Sequence, residues 1–409
     1  MTCETFFREL GRAVERDWAA QHFDERSLPE IAVRHLERAQ PSRHVTPLEI
    51  ARYALFERDR VVGAREADSE FGQPNLIVFA AERFYIEALF WLDGSTTVHQ
   101  HGFSGAFHVL EGGSVHTRLE FTETQQLNSG FKVGHLTQKT IELLRKGDTR
   151  AIVSGRSMIH SLFHLDHPSV SIVIRTVVDP GAEVQYDYAS PSIARDPFHK
   201  RPFAKLAGRT LQMLREIKTP DFKSLLTRFL RTCEVRDAFE CLLTAVAKPD
   251  SEWVFDVLAE LSDAPYASVL PQMKECLTEH LRVSAILGLR GEVTERESRL
   301  TLGLLVNSRD RETLYRLLKD AFPQSEPREK FLSALRTLAS AGIGFPENDS
   351  SVELVGHLLD GKSDEGVVAE LIKEFGPEAA EMRPAILESC AVLRKHPLLT
   401  ALLPRAETA

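Results

Sequence analysis

The alternation of apolar and polar residues gives the first part of the chain a helical character. Residues 4–60 repeat apolar side chains every three or four positions, as in FFRELGRAVERDW, which is typical of amphipathic helices. Thr46, Pro47 and Glu49 supply an N-cap, a first-turn proline and the acidic partner of a capping box, so a helix is predicted to begin there. We therefore expect an N-terminal helical segment over residues 1–60.

The pattern changes near residue 61 to short β-branched and aromatic runs separated by glycine turns. Examples are RFYIEALFWLDG, AFHVLEGGSVHTRLEF and VSIVIRTVV. Several short strands at close spacing predict an all-β sandwich or barrel, here over residues 61–192. A stretch punctuated by prolines, SPSIARDPFHKRP, marks the exit from this region.

Helical periodicity returns beyond residue 200, as in FAKLAGRTLQMLREI and SEWVFDVLAELS. No clear fixed-period repeat is present, and a loose array of helical hairpins stays open. Gly361 and Ser363 predict a helix stop and the N-cap of a new helix, which suits a small helical or winged-helix-like module. The expected organisation is mixed: N-terminal helices, an all-β barrel, and a large all-α region over residues 200–409.

Composition and charge narrow the classes of function. The chain has 59 acidic and 50 basic residues and a formal net charge of −9, so it has no basic excess to attract a nucleic acid. No apolar run approaches the ~20 residues needed to cross a bilayer, and the N-terminus is too charged for a secretory signal. Five scattered cysteines without a C-x-x-C pair favour reduced thiols. We expect a soluble cytoplasmic protein without nucleic-acid or membrane partners.

Two histidines separated by a single residue, His99 and His101, lie in the first half of the predicted barrel. Residues i and i+2 of a β-strand point to the same face about 7 Å apart, which suits chelation of one ion if a third ligand joins them. His160, which follows a glycine turn in the second half of the barrel, is the candidate third ligand. The alternative is that these are solvated strand histidines.

These residues and their spacing resemble the two sequence motifs of the cupins. The first motif runs glycine, H-x-H, glutamate and glycine, and this chain supplies Gly94, His99, His101 and Gly113. The second runs glycine-aspartate, a turn glycine and histidine, and this chain supplies Gly147, Asp148, Gly155 and His160. The position of the family's glutamate holds Ala106, which cannot bind a metal. The resemblance implies a cupin (jelly-roll) barrel.

A glutamate-free set of three histidines is similar to that of the thiol dioxygenases, cupins of the cysteine dioxygenase type. The similarity covers about residues 70–178, a quarter of the chain. It implies a mononuclear non-haem iron(II) dioxygenase with His99, His101 and His160 as ligands, which would bind substrate beside dioxygen. Imidazole also suits nickel, copper and zinc, so the residues do not choose the metal.

Departures from the thiol dioxygenases leave the substrate open. The family's arginine before the H-x-H strand is missing, with Pro74 near that position. The family's late alternation of serine, histidine and tyrosine becomes Ser171, Val173 and Arg175, and a cysteine–tyrosine crosslink has neither partner. We expect the metal site to be kept and the substrate-recognition residues to differ, for a small or peptide-borne thiol- or amine-containing substrate.

Three further residues are candidates for the catalytic site. Arg175 is expected either to pair with a substrate carboxylate or superoxide, or to form an ordinary strand-edge salt bridge. Tyr186 would offer a phenol at the barrel mouth, and His108 would face inward as a hydrogen-bond partner of the site or belong to the core. Three other histidines are expected in turns or on exposed faces without a role in the site: His116, His164 and His167.

Two functions stay open on the sequence alone. The first is an iron-dependent oxygenase that takes a small-molecule or peptide substrate and dioxygen. The second is a metal- or ligand-binding cupin module that signals through, or scaffolds, the helical region without turnover. Because the chain is acidic, a protein or peptide is the expected partner of the helical region.

Overall fold

The computed structural model describes residues 2–57, 71–92, 94–177, 179–198, 202–246, 253–344 and 349–403. The chain forms two compact units. Unit 1 comprises Met1–Thr140 and Leu144–Leu281, and unit 2 comprises Ile141–Leu143 and Arg282–Ala409. The expected segments 1–60, 61–192 and 200–409 follow changes of secondary structure, whereas these units follow contacts in space.

Four helices precede the strands: α1 (Cys3–Ala19), α2 (Leu28–Ala39), α3 (Pro41–His44) and α4 (Pro47–Phe56). The predicted capping box of α4 is confirmed. The Thr46 hydroxyl accepts from the Glu49 amide at 3.3 Å, and the Glu49 carboxylate accepts from the Thr46 amide at 2.8 Å. The end of the predicted segment, residues 58–60, lies outside the described residues.

Eleven strands are found among the described residues between 71 and 198. They are β1 (Asn75–Ala80), β2 (Phe84–Trp91), β3 (Val98–His101), β4 (Gly105–Glu111), β5 (Gly113–Asn128), β6 (Phe131–Arg145), β7 (Thr149–Ile152), β8 (Gly155–His164), β9 (Ser169–Thr176), β10 (Asp187–Ala189) and β11 (Ile193–Arg195). One sheet has the order β1-β2-β9-β4-β7, and a closed barrel has the order β10-β11-β6-β5-β8-β3. The predicted β-barrel with helices on either side in sequence is confirmed.

The two faces of the five-stranded sheet contact different parts of unit 1. Even-numbered side chains such as Ala106 and Ile174 pack with Phe7 and Trp18 of the N-terminal helices. Odd-numbered side chains such as Val173 belong to a separate core with residues of β8. Because side chains alternate along a strand, this division fixes which residues of β2, β4 and β9 face the histidines.

Five helices follow the strands: α5 (Pro202–Glu216), α6 (Phe222–Thr232), α7 (Val235–Val246), α8 (Trp253–Ala259) and α9 (Leu270–Gly288). Their buried side chains form a core that includes Phe131, Val133 and Ile193 of β6 and β11. The Phe131 and Phe239 rings, for example, lie 5.9 Å apart. The first helices of the C-terminal region thus complete unit 1, and the boundary between the units falls within α9.

Unit 2 contains seven further helices in its described residues. They are α10 (Arg296–Asn307), α11 (Arg311–Ala321), α12 (Pro327–Ser340), α13 (Asp349–Leu359), α14 (Asp364–Phe375), α15 (Pro377–Glu381) and α16 (Arg383–Lys395). Gly361 has a φ of +81°, and the Ser363 hydroxyl accepts from the Gly366 amide at 3.1 Å, so the predicted helix stop and N-cap are confirmed. A winged helix contains β-strands, and the described residues from 282 to 403 form none. No described helix has the length and apolar character that a membrane crossing needs.

Candidate metal centre

The structure brings His99, His101 and His160 together on two paired strands. His99 and His101 lie on β3, and the antiparallel pairing of β3 with β8 sets His99 beside His160. All three side chains are buried, and their ligand atoms lie within 4.8 Å of one another. Among the described residues, no other group of three His, Cys, Asp or Glu meets this spacing.

The His99 ring is oriented by the backbone. Its Nδ1 lies 2.8 Å from the carbonyl oxygen of Thr97, which can only accept, so the ring proton sits on Nδ1. His99 Nε2 therefore carries a lone pair, and it is buried without a hydrogen-bond partner among the described residues. An unsatisfied buried acceptor costs about 1–3 kcal/mol. A metal ion at this nitrogen would remove that cost.

The spacing of the other two rings also fits a shared ion. His101 Nε2 and His160 Nε2 lie 2.8 Å apart. Two nitrogens bound about 2.1 Å from one ion, at right angles, would lie ~3.0 Å apart. Three imidazoles of this kind can occupy one face of a divalent ion and leave positions for other ligands. The donor set present therefore fits a divalent metal.

All three histidines are held in the neutral form. Burial lowers the pKa of His99 below its ordinary value. Burial lowers the pKa of His101 and His160 well below the ordinary value, and the neighbouring histidines lower it further. A metal needs the neutral imidazole, so the lowered pKa values favour the form of these rings that can ligate.

A fourth histidine contacts the cluster and was not expected there. His116 on β5 is buried, and its Nε2 lies 3.0 Å from Nδ1 of His160. His164 is also buried; its ring stacks on Trp91 at 4.8 Å between centroids. The expectation of turns or exposed faces is therefore corrected for both, because β5 and β8 pair along residues 114–119 and 159–164. His167 is exposed, as expected.

The three histidines open into a cavity with mostly apolar walls. Its apolar walls come from Phe71, Leu89, Trp91, Phe103, Phe107, Ile152, Leu162 and Val173. Glu87, which is only 3% exposed, contributes a carboxylate to the wall of this cavity. Apolar walls exclude water and strengthen electrostatic interactions inside the cavity.

Arg175 lies on the strand face that the sequence indicated, but it borders an adjoining cavity. That cavity shares Phe71 and Glu87 with the histidine cavity. The Arg175 guanidinium lies 3.6 Å from the Glu87 carboxylate and 3.5 Å from the centre of the Phe103 ring. Phe103 in turn packs on His101, with ring centres 4.5 Å apart. Arg175 is thus next to the candidate site and already ion-paired.

Tyr186 lies away from the histidine cavity. Its hydroxyl donates to the carbonyl oxygen of Ser129 at 2.6 Å, and its ring is buried in a core with Tyr188 and Ile159. Tyr188 pairs with Val98, the neighbour of His99, so these rings lie on the opposite face from the histidines. The prediction that Tyr186 offers a phenol at the barrel mouth is therefore wrong, because its side chain is buried in a structural core.

His108 also faces away from the cluster. Its Nδ1 lies 2.8 Å from the Thr149 hydroxyl and its Nε2 lies 3.1 Å from the Ser42 hydroxyl of α3. His108 shares its strand face with Ala106, which packs with the N-terminal helices. Of the two roles expected for His108, the structure supports the core histidine and not the inward partner of the site, and Phe107 is the β4 residue that lines the cavity.

A β-barrel with a buried cluster of three histidines fits a cupin. No family model matches the chain, and no curated protein does. Among solved structures, TT1209 from Thermus thermophilus is 20% identical over 29% of this chain and 94% of its own length, with a TM-score of 0.19. Hydroquinone 1,2-dioxygenase PnpCD, solved with Cd2+ and 4-hydroxybenzonitrile, is 16% identical over 30% of this chain and 73% of its own, with a TM-score of 0.20. At such TM-scores neither likeness carries an argument about this chain.

Proposed function

We propose that this protein is a non-haem iron(II) oxygenase of the cupin type, with His99, His101 and His160 as the metal ligands. The observation that carries the proposal is the unpartnered, buried Nε2 of His99 beside two neutral imidazoles at ligand spacing. Iron(II) held there would supply the redox chemistry of dioxygen. The resemblance to thiol dioxygenases suggests a thiol- or amine-containing substrate, small or peptide-borne.

The residues around the cluster favour an anionic reactive group. The three ligands contribute no negative charge, so a divalent ion would keep its full +2 charge and attract a thiolate or another anion. Phe103, Phe107 and Trp91 exclude water from that group. These side chains would bind and desolvate the substrate.

Glu87 and Arg175 are suited to bind the far end of the substrate. They present one anion and one cation, 3.6 Å apart, in the cavity that adjoins the histidines. A substrate with both an ammonium and a carboxylate would pair with these two groups and replace their contact with each other. Arg175 would then hold the carboxylate, and Glu87 the ammonium.

Three thiols that differ only in their charged groups test this proposal. L-Cysteine carries both groups, cysteamine only the ammonium and 3-mercaptopropionate only the carboxylate. In iron-loaded protein, oxygen consumption is expected with at least one of them. Arg175→Gln should raise KM roughly 10-fold or more for the carboxylate-bearing thiols and leave cysteamine unaffected, because a charged hydrogen bond contributes about 1.5–3 kcal/mol.

The second candidate is a binding module that signals through or scaffolds its helices without turnover. It is favoured by the ion pair of Arg175 with Glu87, which satisfies both charges without a substrate. Iron-loaded protein that binds the thiols but consumes no oxygen would contradict the oxygenase and support this module. Turnover of any of the three would exclude it.

A further inference from the structure

We propose that His116 is a positioning residue that fixes the ring proton of His160 on Nδ1 and so makes His160 a metal ligand. This inference rests on the proposed metal site. His116 Nε2 lies 3.0 Å from His160 Nδ1, and both rings are buried, 1% and 3% exposed. The two rings are perpendicular, with centres 5.2 Å apart.

A neutral imidazole has a single N–H, on either of its two nitrogens. If the proton of His160 sits on Nδ1, this N–H donates to His116 Nε2. The Nε2 atom of His160 then presents a lone pair. If His116 donates instead, the proton of His160 sits on Nε2, 2.8 Å from Nε2 of His101, where the ion would bind. Only the first arrangement allows His160 to ligate.

His160 differs in this respect from His99. The partner of His99 Nδ1 is the carbonyl oxygen of Thr97, which can only accept, so that ring needs no side chain to set its proton. The partner of His160 Nδ1 is a histidine, which can donate or accept. The ligand state of His160 therefore depends on one replaceable side chain.

The strand pairing holds His116 where this contact requires it. β5 and β8 pair antiparallel, with Arg118 opposite His160 and His116 opposite Leu162. The Phe107 ring lies edge-on to His116, with centres 6.0 Å apart. His116 thus reaches the rear of the His160 ring, away from the other ligands.

The test compares His116→Leu with His116→Gln, with Co2+ affinity measured by chelator competition. Leucine removes the acceptor, and glutamine offers an amide oxygen in its place. Loss of a ligand's orienting partner typically lowers metal affinity about 10–100-fold. We expect that loss for His116→Leu and a change within roughly 3-fold for His116→Gln. His108→Leu, which removes a buried histidine of the five-stranded sheet that faces away from the cluster, should retain the wild-type affinity, and circular dichroism checks the folding of each variant.

A second readout needs no metal. The 15N shifts of the His160 ring distinguish its two neutral tautomers, and Nδ1–H is expected in the wild type and in His116→Gln. Wild-type Co2+ affinity in a folded His116→Leu protein, or equal losses in both variants, would overturn the inference. If the wild-type protein binds no Co2+, the proposed function fails, and the 15N shifts alone then decide the role of His116.

Discussion

Buried histidines in this protein lie both in the closed barrel and in the five-stranded sheet, and their surroundings give them different properties. The ligand nitrogens of His99, His101 and His160 lie within 4.8 Å of one another beside one cavity, whereas His108 lies between Thr149 and Ser42. Burial keeps all four rings neutral, and it lowers the pKa of His108 to about 4. Histidine thus serves as a candidate ligand in the barrel and as a core hydrogen-bonding group in the five-stranded sheet.

The lowered pKa of His108 predicts a loss of stability in acid. The unfolded chain takes up a proton at this ring as the pH falls below 6.5, and the folded chain does so only near pH 4. Between these values the free energy of unfolding should fall by up to roughly 3 kcal/mol on account of His108 alone. Urea unfolding at pH 7 and pH 4.5 measures it. His108→Gln should lose less stability over this interval than the wild type, and equal losses would contradict the assignment.

The sequence predicts the three candidate ligands but not the residues around them. His99, His101 and His160 are recognisable because their spacing along the chain relative to glycine turns is fixed by local strand geometry. His116 could not be found in this way, since its contact with His160 depends on the register between β5 and β8. The sequence left two orientations open for His108 for the same kind of reason, because its strand face is set by packing against helices far away in sequence.

At the scale of the elements, β4 and β9 approach each other closely at Gly105. A Cβ at this position would lie 1.9 Å from the carbonyl oxygen of Ile174. Gly105 pairs with Arg175 on β9, so the contact lies beside the candidate site. The strands can hold this separation only because the residue has no side chain.

Replacement of Gly105 by alanine should therefore destabilise the sheet. We expect Gly105→Ala to lower the free energy of unfolding by roughly 3 kcal/mol, because the backbone of β9 must move. Gly208→Ala on α5 is the matched control: its Cβ would meet nothing within 4 Å, and it should stabilise by about 0.5–1 kcal/mol. Chemical denaturation measures both, and a change of the same sign and size in the two variants would contradict this account.

Helix starts and sheet order differ in how far the sequence determines them. The caps at Thr46 and Ser363 were predictable, since each hydrogen bond joins residues three positions apart. The strand order β1-β2-β9-β4-β7 could not be predicted from the sequence, because it joins strands that are separated by many residues. The number and type of elements are local properties, whereas their arrangement is a property of the whole unit.

At the scale of the whole molecule, the two units differ in the spectroscopic probes that they contain. All three tryptophans, at positions 18, 91 and 253, belong to unit 1, which also holds the candidate metal site. The regular secondary structure in the described residues of unit 2 is helical apart from the strand segment 141–143. The boundary between them could not be read from composition, because it falls within the continuous helix α9.

Metal binding should therefore stabilise unit 1, which the tryptophans report. A ligand at 100 times its dissociation constant adds about 2.7 kcal/mol to the state that binds it. The melting transition seen by tryptophan fluorescence should shift upward by a few degrees with added Co2+ or Fe2+. An unchanged tryptophan transition at saturating metal would contradict the assignment of the site to unit 1.

The metal content of the purified protein is the decisive measurement for a metal site at His99, His101 and His160. Wild-type protein and His160→Ala, with His108→Ala as the control for loss of a buried histidine, would be analysed by mass spectrometry of the elements. We expect about one divalent ion per chain in the wild type and in His108→Ala, and a loss of that ion in His160→Ala. Equal metal content in wild type and folded His160→Ala, or negligible metal in all three after reconstitution with iron(II), would contradict it.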